Sequence, residues 1–179
     1  MSTEKPLRTA FVHVYTGNGK GKTTAALGLG LRAAGHGLRV FLLQFMKGDP
    51  EYGELLAIRG LRNFDFLQSG LSTFVTKGDP GPEDLRRARA GLARARELLA
   101  EGRYDVVILD EINCAVDYGL LAEDDVLRLI DERPGHVELV LTGRNARPKV
   151  MDKADLVTEM VEIKHPFQRG VLARKGIEH

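Results

Sequence analysis

The chain has 179 residues, and its 26 lysines and arginines almost balance 25 aspartates and glutamates, leaving a formal charge of +1. That length suits one domain, residues 1–179, with a substantial core, and so small a net charge gives no global field toward nucleic acid or a membrane surface. The single cysteine cannot form an internal disulfide, no signal peptide opens the chain, and no apolar run approaches the ~20 residues that span a bilayer, so a soluble cytoplasmic protein is expected.

From the amino terminus, Phe11–Tyr15 is a mostly apolar run that reads as a strand, and Thr23–Ala34 reads as a helix stopped by Gly35 and Gly37. Between them lies Thr-Gly-Asn-Gly-Lys-Gly-Lys-Thr-Thr, Thr16 to Thr24. Strand, glycine loop and helix form the arrangement in which backbone N–H groups converge on a polyphosphate, aided by the positive end of the helix dipole. Gly17, Gly19 and Gly21 lack the Cβ that would obstruct positive φ and close backbone approach. Lys22, expected to stand exposed on the loop, can reach phosphate oxygens, and the Thr23 hydroxyl is placed to ligate Mg²⁺. Aligned on G-x-x-x-x-G-K-[ST], the first glycine position falls on Thr16; either Thr16 takes that geometry or the loop turns at Gly17. Nucleotide contacts are therefore expected from Thr16, Gly17, Asn18, Gly19, Lys20, Gly21, Lys22, Thr23 and Thr24, with a solvated side chain an equal alternative for Lys20.

Val40–Phe45 and Phe64–Leu67 read as further strands, each followed by a glycine- and proline-rich stretch, Lys47–Arg62 and Ser69–Pro82. Long irregular loops in a compact domain are more often functional than idle. Glu83–Ala100 carries Leu85, Ala88, Leu92, Ala95 and Leu99 as one buried stripe, and its basic residues Arg86, Arg87, Arg89, Arg94 and Arg96 fit a solvated face. Val106–Asp110 is an apolar strand that ends on Asp110 and Glu111, expected beside the loop strand, where a carboxylate can meet Mg²⁺. Cys114, next to Ala115 and Val116, reads as packing rather than as a nucleophile. A helix over Asp124–Glu132, a strand over Val137–Leu141, a short helix over Pro148–Ala154 and a strand over Leu156–Val161 complete the series. Arg144, just past Thr142 and Gly143, could neutralise phosphate charge or belong to the surface. For His165 the open readings are a general base, a metal ligand or a packed polar residue, the last favoured. Apolar strands alternating with helices give an α/β fold, a doubly wound, mostly parallel sheet.

These residues also carry a family resemblance. TGNGKGKTTAALGLGLRAAGHG (16–37), QFMKG (44–48), YDVVILDEINCAVDYGLL (104–121), LTGRNARP (141–148), ADLVTEM (154–160) and KHPFQRGVLARKGIEH (164–179) closely resemble the ATP:corrinoid adenosyltransferases, in family order over nearly the whole chain. The resemblance implies a phosphate-loop domain of the RecA type, usually a homodimer, that moves the 5′-deoxyadenosyl group of ATP to Co(I) of a corrinoid and leaves triphosphate. It also implies Mg²⁺ with ATP, and a flavin-type reductase supplying electrons. By resemblance Glu111 is the metal ligand with Thr23, Asp110 supports it, and Lys22 with Arg144 serves the departing triphosphate. Family members often place an aromatic-rich segment, including tryptophan, against the lower face of the corrin. This chain has no tryptophan, and Phe74 in Leu71–Thr76 is the residue implied for that task, with Phe45, Met46 and His165 as further corrinoid contacts. The amino-terminal stretch is short, so a helical lid of longer relatives is expected to be missing or abbreviated, and the chain ends on Gly176-Ile177-Glu178-His179, where relatives often carry an aromatic. Two rival functions remain at this stage: a small-molecule kinase on the same loop, and a nucleotide-binding regulatory module with little turnover.

Overall fold

A strand covered on both faces must be apolar at every position, because successive side chains point to opposite sides. Three strands here are apolar up to their polar end residues: β2 (Val40–Gln44) and β4 (Val106–Asp110) are buried at every residue, and β5 (Glu138–Thr142) at all but its first. The computed structural model describes residues 9–178. With β1 (Val12–Thr16), β3 (Phe64–Gln68) and β6 (Leu156–Glu159), these strands form one six-stranded parallel sheet in the order β3-β2-β4-β5-β1-β6. Any lid formed by residues 1–8, and His179, lie outside the described residues.

The helices are α1 (Lys22–Gly35), α2 (Gly53–Ile58), α3 (Pro82–Glu101), α4 (Ile112–Asp117), α5 (Glu123–Glu132) and α6 (Pro148–Lys153). Alternate strand residues feed two cores. Phe41, Leu43, Val107, Leu109, Leu139 and Leu141 pack with apolar residues of α3, α4, α5 and α6, while Leu42, Ile108 and Val140 pack with α1 and α2. The doubly wound, parallel α/β expectation therefore holds. The stripe on α3 does bury Ala88, Leu92, Ala95 and Leu99, and the helix stops at Gly102, whose φ of 61° is the left-handed stop that glycine adopts cheaply.

Four expectations need correction. The acid-bearing strand β4 is not beside the loop strand β1: β5 lies between them. Lys47–Arg62 is not wholly irregular, since it contains α2, and α4 directly follows Glu111; each is six residues, too short to show a helical period. β6 ends at Glu159, not Val161, and as an edge strand all of its residues are exposed. Phe45, expected against a corrin, is wholly buried under α3, and a Cβ on Gly91 would come within 3.0 Å of its ring. Its backbone N–H still bonds to Asp110 O at 2.9 Å, which continues the strand inward, and truncating such a core phenylalanine costs ~3–5 kcal/mol.

Because all strands run the same way, their carboxyl ends share one edge, the edge on which open parallel sheets bind ligands. Those ends are polar: Thr16, Gln44, Gln68, Asp110 and Thr142 close the five strands β1, β2, β3, β4 and β5.

Candidate active site

The loop between β1 and α1 turns at Gly17 and again at Gly21, with φ of 92° and 122°. Thr16 is thus the last strand residue, and its hydroxyl accepts the N–H of Ala146 at 3.2 Å instead of facing the cleft. The glycines have a further reason beyond phosphate approach. A Cβ on Gly17 or Gly19 would lie 2.4 or 2.7 Å from the carbonyl oxygen of Met160, and Gly19 N–H donates to that oxygen at 2.6 Å. The backbone just past β6 therefore presses against the loop and fixes its shape.

Lys22 is 8% exposed, so the expectation of an exposed lysine is corrected. Its ammonium curls over the loop and donates to Gly17 O at 2.8 Å and Gly19 O at 2.7 Å. Burial lowers its pKa; the Glu111 carboxylate opposes that and Arg144 adds to it. Lys20 is exposed and lines the cleft, and its ammonium also has protein partners. It donates to Ile177 O at 2.9 Å and pairs with Glu178 at 3.0 Å, tying the carboxy-terminal segment to the loop.

Asp110 is fully buried, and all its charge is answered locally. Oδ1 accepts the hydroxyls of Thr23 at 2.8 Å and Thr142 at 2.7 Å; Oδ2 accepts Gln44 Nε2 at 3.2 Å and the Lys47 ammonium at 2.7 Å. A carboxylate so enclosed is stable only with such partners, since a buried charge left alone costs several kcal/mol. Thr142 is the strut that spans the intervening strand: its oxygen also accepts the Glu111 N–H at 3.0 Å. Glu111 itself sits at φ 63°, outside the usual range for a side-chain-bearing residue, and faces the cleft. Met46 and Asn145 share that positive φ, so all three non-glycine cases among the described residues follow the ends of β2, β4 and β5 around one site. Gln44, Lys47 and Thr142 were missed in the sequence. The available signal was the polar residue that ends each apolar run.

A cleft of about 800 Å³ opens above these ends, of the size that holds a cofactor-sized ligand. Of the expected contacts, Asn18 through Thr24, Glu111, Arg144, Phe74 and His165 line it; Thr16, Gly17, Asp110, Phe45 and Met46 do not. Met46 instead packs half-buried against the core, which corrects its assignment to the corrinoid along with that of Phe45. Phe74 stands fully exposed on a loop held by Lys77, whose ammonium pairs with Asp117 at 2.6 Å, while Asn145 donates to the same carboxylate at 2.8 Å. His165 Nδ1 accepts the N–H of Phe167 at 3.1 Å, which orients the ring, and Phe167 joins Phe74 as a second aromatic on the rim.

Cys114 lies behind Glu111, its sulfur accepting the Arg144 N–H at 3.1 Å. Burial first, then the Glu111 carboxylate, pushes the thiol up to about 12, so it is no nucleophile. Alkylation by iodoacetamide at pH 8 is expected to be at least about 100-fold slower in the folded protein than in urea, because the thiolate is nearly absent. Comparable rates would place the thiol in a far more polar setting.

Mg²⁺ binds through one or two carboxylates plus substrate phosphates, with hard oxygen donors throughout. The Thr23 hydroxyl and the Glu111 carboxylate supply that donor set beside the loop, and among the described residues no three His, Cys, Asp or Glu side chains converge as a closed metal cage would require. The residues present fit a nucleotide-borne Mg²⁺. No helix among the described residues is long and apolar enough to cross a membrane.

Comparison with known proteins gives the family and the fold. Residues 8–179 match the family model described as ATP:corrinoid adenosyltransferase BtuR/CobO/CobP. The chain is 39% identical over 168 residues to the corrinoid adenosyltransferase of Pseudomonas aeruginosa, covering 92% of this chain and 81% of that protein. It is 38% identical to the corrinoid adenosyltransferase CobA of Salmonella typhimurium, over 93% of this chain and 84% of that one. In fold it is similar to a KaiC-like protein of Pyrococcus horikoshii, with a TM-score of 0.56 and 18% identity over 84% of this chain and 72% of that chain, a phosphate-loop, RecA-like architecture. The glycine loop, the buried acid beyond it and the matched length together make this chain a member of the ATP:corrinoid adenosyltransferase family, whose reaction is adenosyl transfer from ATP to a corrinoid.

Proposed function

We propose that the cleft above β1, β4 and β5 holds ATP with Mg²⁺ and turns C5′ of the ribose toward the Co(I) centre of a corrinoid seated against the Phe74 rim. The observation that carries this reading is the convergence of Lys22, Thr23, Glu111 and Arg144 on one cleft that Phe74 also lines. The cobalt electron pair attacks C5′ in line, the C5′–O bond breaks, and triphosphate leaves with the bonding pair. No hydroxyl or water is activated, so no protein base is required, which suits a site whose one histidine lies on the rim. Lys22, Arg144 and the free loop amides stabilise charge gathering on the leaving triphosphate. When bound, Mg²⁺ neutralises phosphate oxygens as a Lewis acid, held by Thr23 and Glu111. Asp110 orients Thr23 through its 2.8 Å hydrogen bond. A flavin-type reductase as electron donor and a homodimer complete the reading by family resemblance.

The bond that is cut tests this directly. Phosphorus NMR of the products is expected to show inorganic triphosphate; ADP would mean attack at the γ-phosphorus and a kinase-like enzyme instead.

Co(I) forms with difficulty from Co(II), and an apolar side chain against the lower corrin face helps by excluding both water and the axial base. Phe74, exposed and aromatic, suits that role. Phe74→Ala is expected to slow turnover from Co(II) by about tenfold, ~1.4 kcal/mol of barrier, while ATP binding holds. The check is the absorption of four-coordinate Co(II)-cobalamin bound with ATP. Equal amounts of that species in the variant and the parent would assign base displacement to another rim residue, Phe167 first.

A further inference from the structure

Lys47 lines the cleft and answers the buried Asp110, yet the reaction described above gives it no part. Its backbone is fixed: Gly70 N–H donates to Lys47 O at 3.0 Å, and a Cβ on Gly70 would fall 2.2 Å from Lys47 N. Arg87 donates to Gly70 O at 3.0 Å and ties this turn to α3. The side chain passes over the ring of Tyr52 at 6.0 Å and brings its ammonium to 2.7 Å from Asp110 Oδ2 and 3.4 Å from Thr23 Oγ1.

The ammonium thus engages the Thr23 oxygen that would hold the metal and the buried acid that supports it. Of the four donors to Asp110, Thr142 and Gln44 are fully buried and Thr23 is held in the first turn of α1. Only Lys47 ends a long flexible stem that lines the cleft. In this arrangement a divalent cation on Thr23 and the ammonium beside it occupy overlapping space and repel each other. The lysine can leave only if another anion replaces Asp110 as its partner, because an unpaired ammonium in a largely enclosed position is costly. The triphosphate of ATP is such an anion, and it arrives in the same cleft.

We propose that Lys47 is an internal counter-ion that guards the metal seat: it holds Thr23 and Asp110 until a polyphosphate draws it away, so that divalent cation binds with nucleotide and hardly at all alone. This inference rests on the nucleotide reading above. It gives Lys47 two places, on Thr23 and Asp110 without nucleotide and on the polyphosphate with it. The carboxylates that face it are Asp110, Glu111 and Glu54, and although burial works against its charge, they hold its pKa above the ordinary lysine value.

The test is Mn²⁺ binding, read without ATP from the loss of the free-ion EPR signal and with ATP, which itself removes free Mn²⁺, from the Mn²⁺ that the protein retains on ultrafiltration. Without nucleotide, Lys47→Met is expected to bind Mn²⁺ at least tenfold more tightly than the parent, since Asp110 is then an unanswered carboxylate beside Thr23. Lys47→Gln, which keeps a neutral donor to Asp110, should move the same way by less. Equal affinity in the parent and both variants overturns the inference. In the parent itself, which avoids any question of folding, the Lys47 ¹³Cε resonance should shift on adding Mg²⁺ with tripolyphosphate and stay in place with Mg²⁺ alone. A shift with Mg²⁺ alone also overturns it. A parent that binds no Mn²⁺ even with ATP contradicts the nucleotide site itself, whereas ATP-dependent binding with unaltered variants removes only the role given to Lys47.

Discussion

Lys22→Ala is expected to lower adenosyl transfer by about 100- to 1,000-fold, the loss of ~2.7–4 kcal/mol that follows removal of one preorganised donor from developing negative charge. The side chain is buried but its partners are loop carbonyls, Gly17 O and Gly19 O, which open to solvent once the ammonium is gone. Stability should therefore fall by only ~0.5–1.5 kcal/mol, measurable as a small shift in Tm. Activity within threefold of the parent would remove Lys22 from the leaving-group site. A large collapse in Tm would instead mean that its structural bonds dominate.

Glu111 separates function from stability more sharply. Glu111→Gln keeps the volume and removes the charge, so the Mg²⁺ concentration for half-maximal rate should rise at least about tenfold, as losses around metal ligands do. Glu111→Gly should do the same to the metal requirement while making the protein more stable. At φ 63° a glycine relieves ~1–2 kcal/mol of left-handed strain that the glutamate bears. Strain held at the residue that faces the ligand, and released only by losing function, is the pattern expected of a working site. An unchanged Mg²⁺ titration in both variants would make the carboxylate structural and move the metal to Asp110.

How much of this was legible in the chain differs by kind of question. Element type was readable wherever a period ran long enough: β2, β4 and β5 as unbroken apolar runs, α3 as an eighteen-residue stripe over Glu83–Ala100. Of the three six-residue helices, α2 and α4 offered no such run, and α6 was marked only by the proline that opens it. The glycine loop named its own chemistry, yet the purpose of Gly17 and Gly19 involves Met160, about 140 positions away, and no local pattern encodes that contact. Strand order is equally non-local. Inserting β5 between β1 and β4 is what makes Thr142 the link between Asp110, which also holds Thr23, and Glu111. In QFMKG the aromatic drew attention, but the backbone turns Phe45 into the core, and it is Gln44 and Lys47 that reach the carboxylate. Facing decides such cases, and facing depends on which layer covers the strand.

The most direct measurement is anaerobic: the protein with ATP, Mg²⁺ and chemically reduced cobalamin, followed by the visible spectrum. Formation of the cobalt–carbon bond, with adenosylcobalamin and triphosphate appearing in equal amounts and the Lys22→Ala variant at least about 100-fold slower, is the expected result. Persistence of the Co(I) spectrum while ATP is converted to ADP would contradict it.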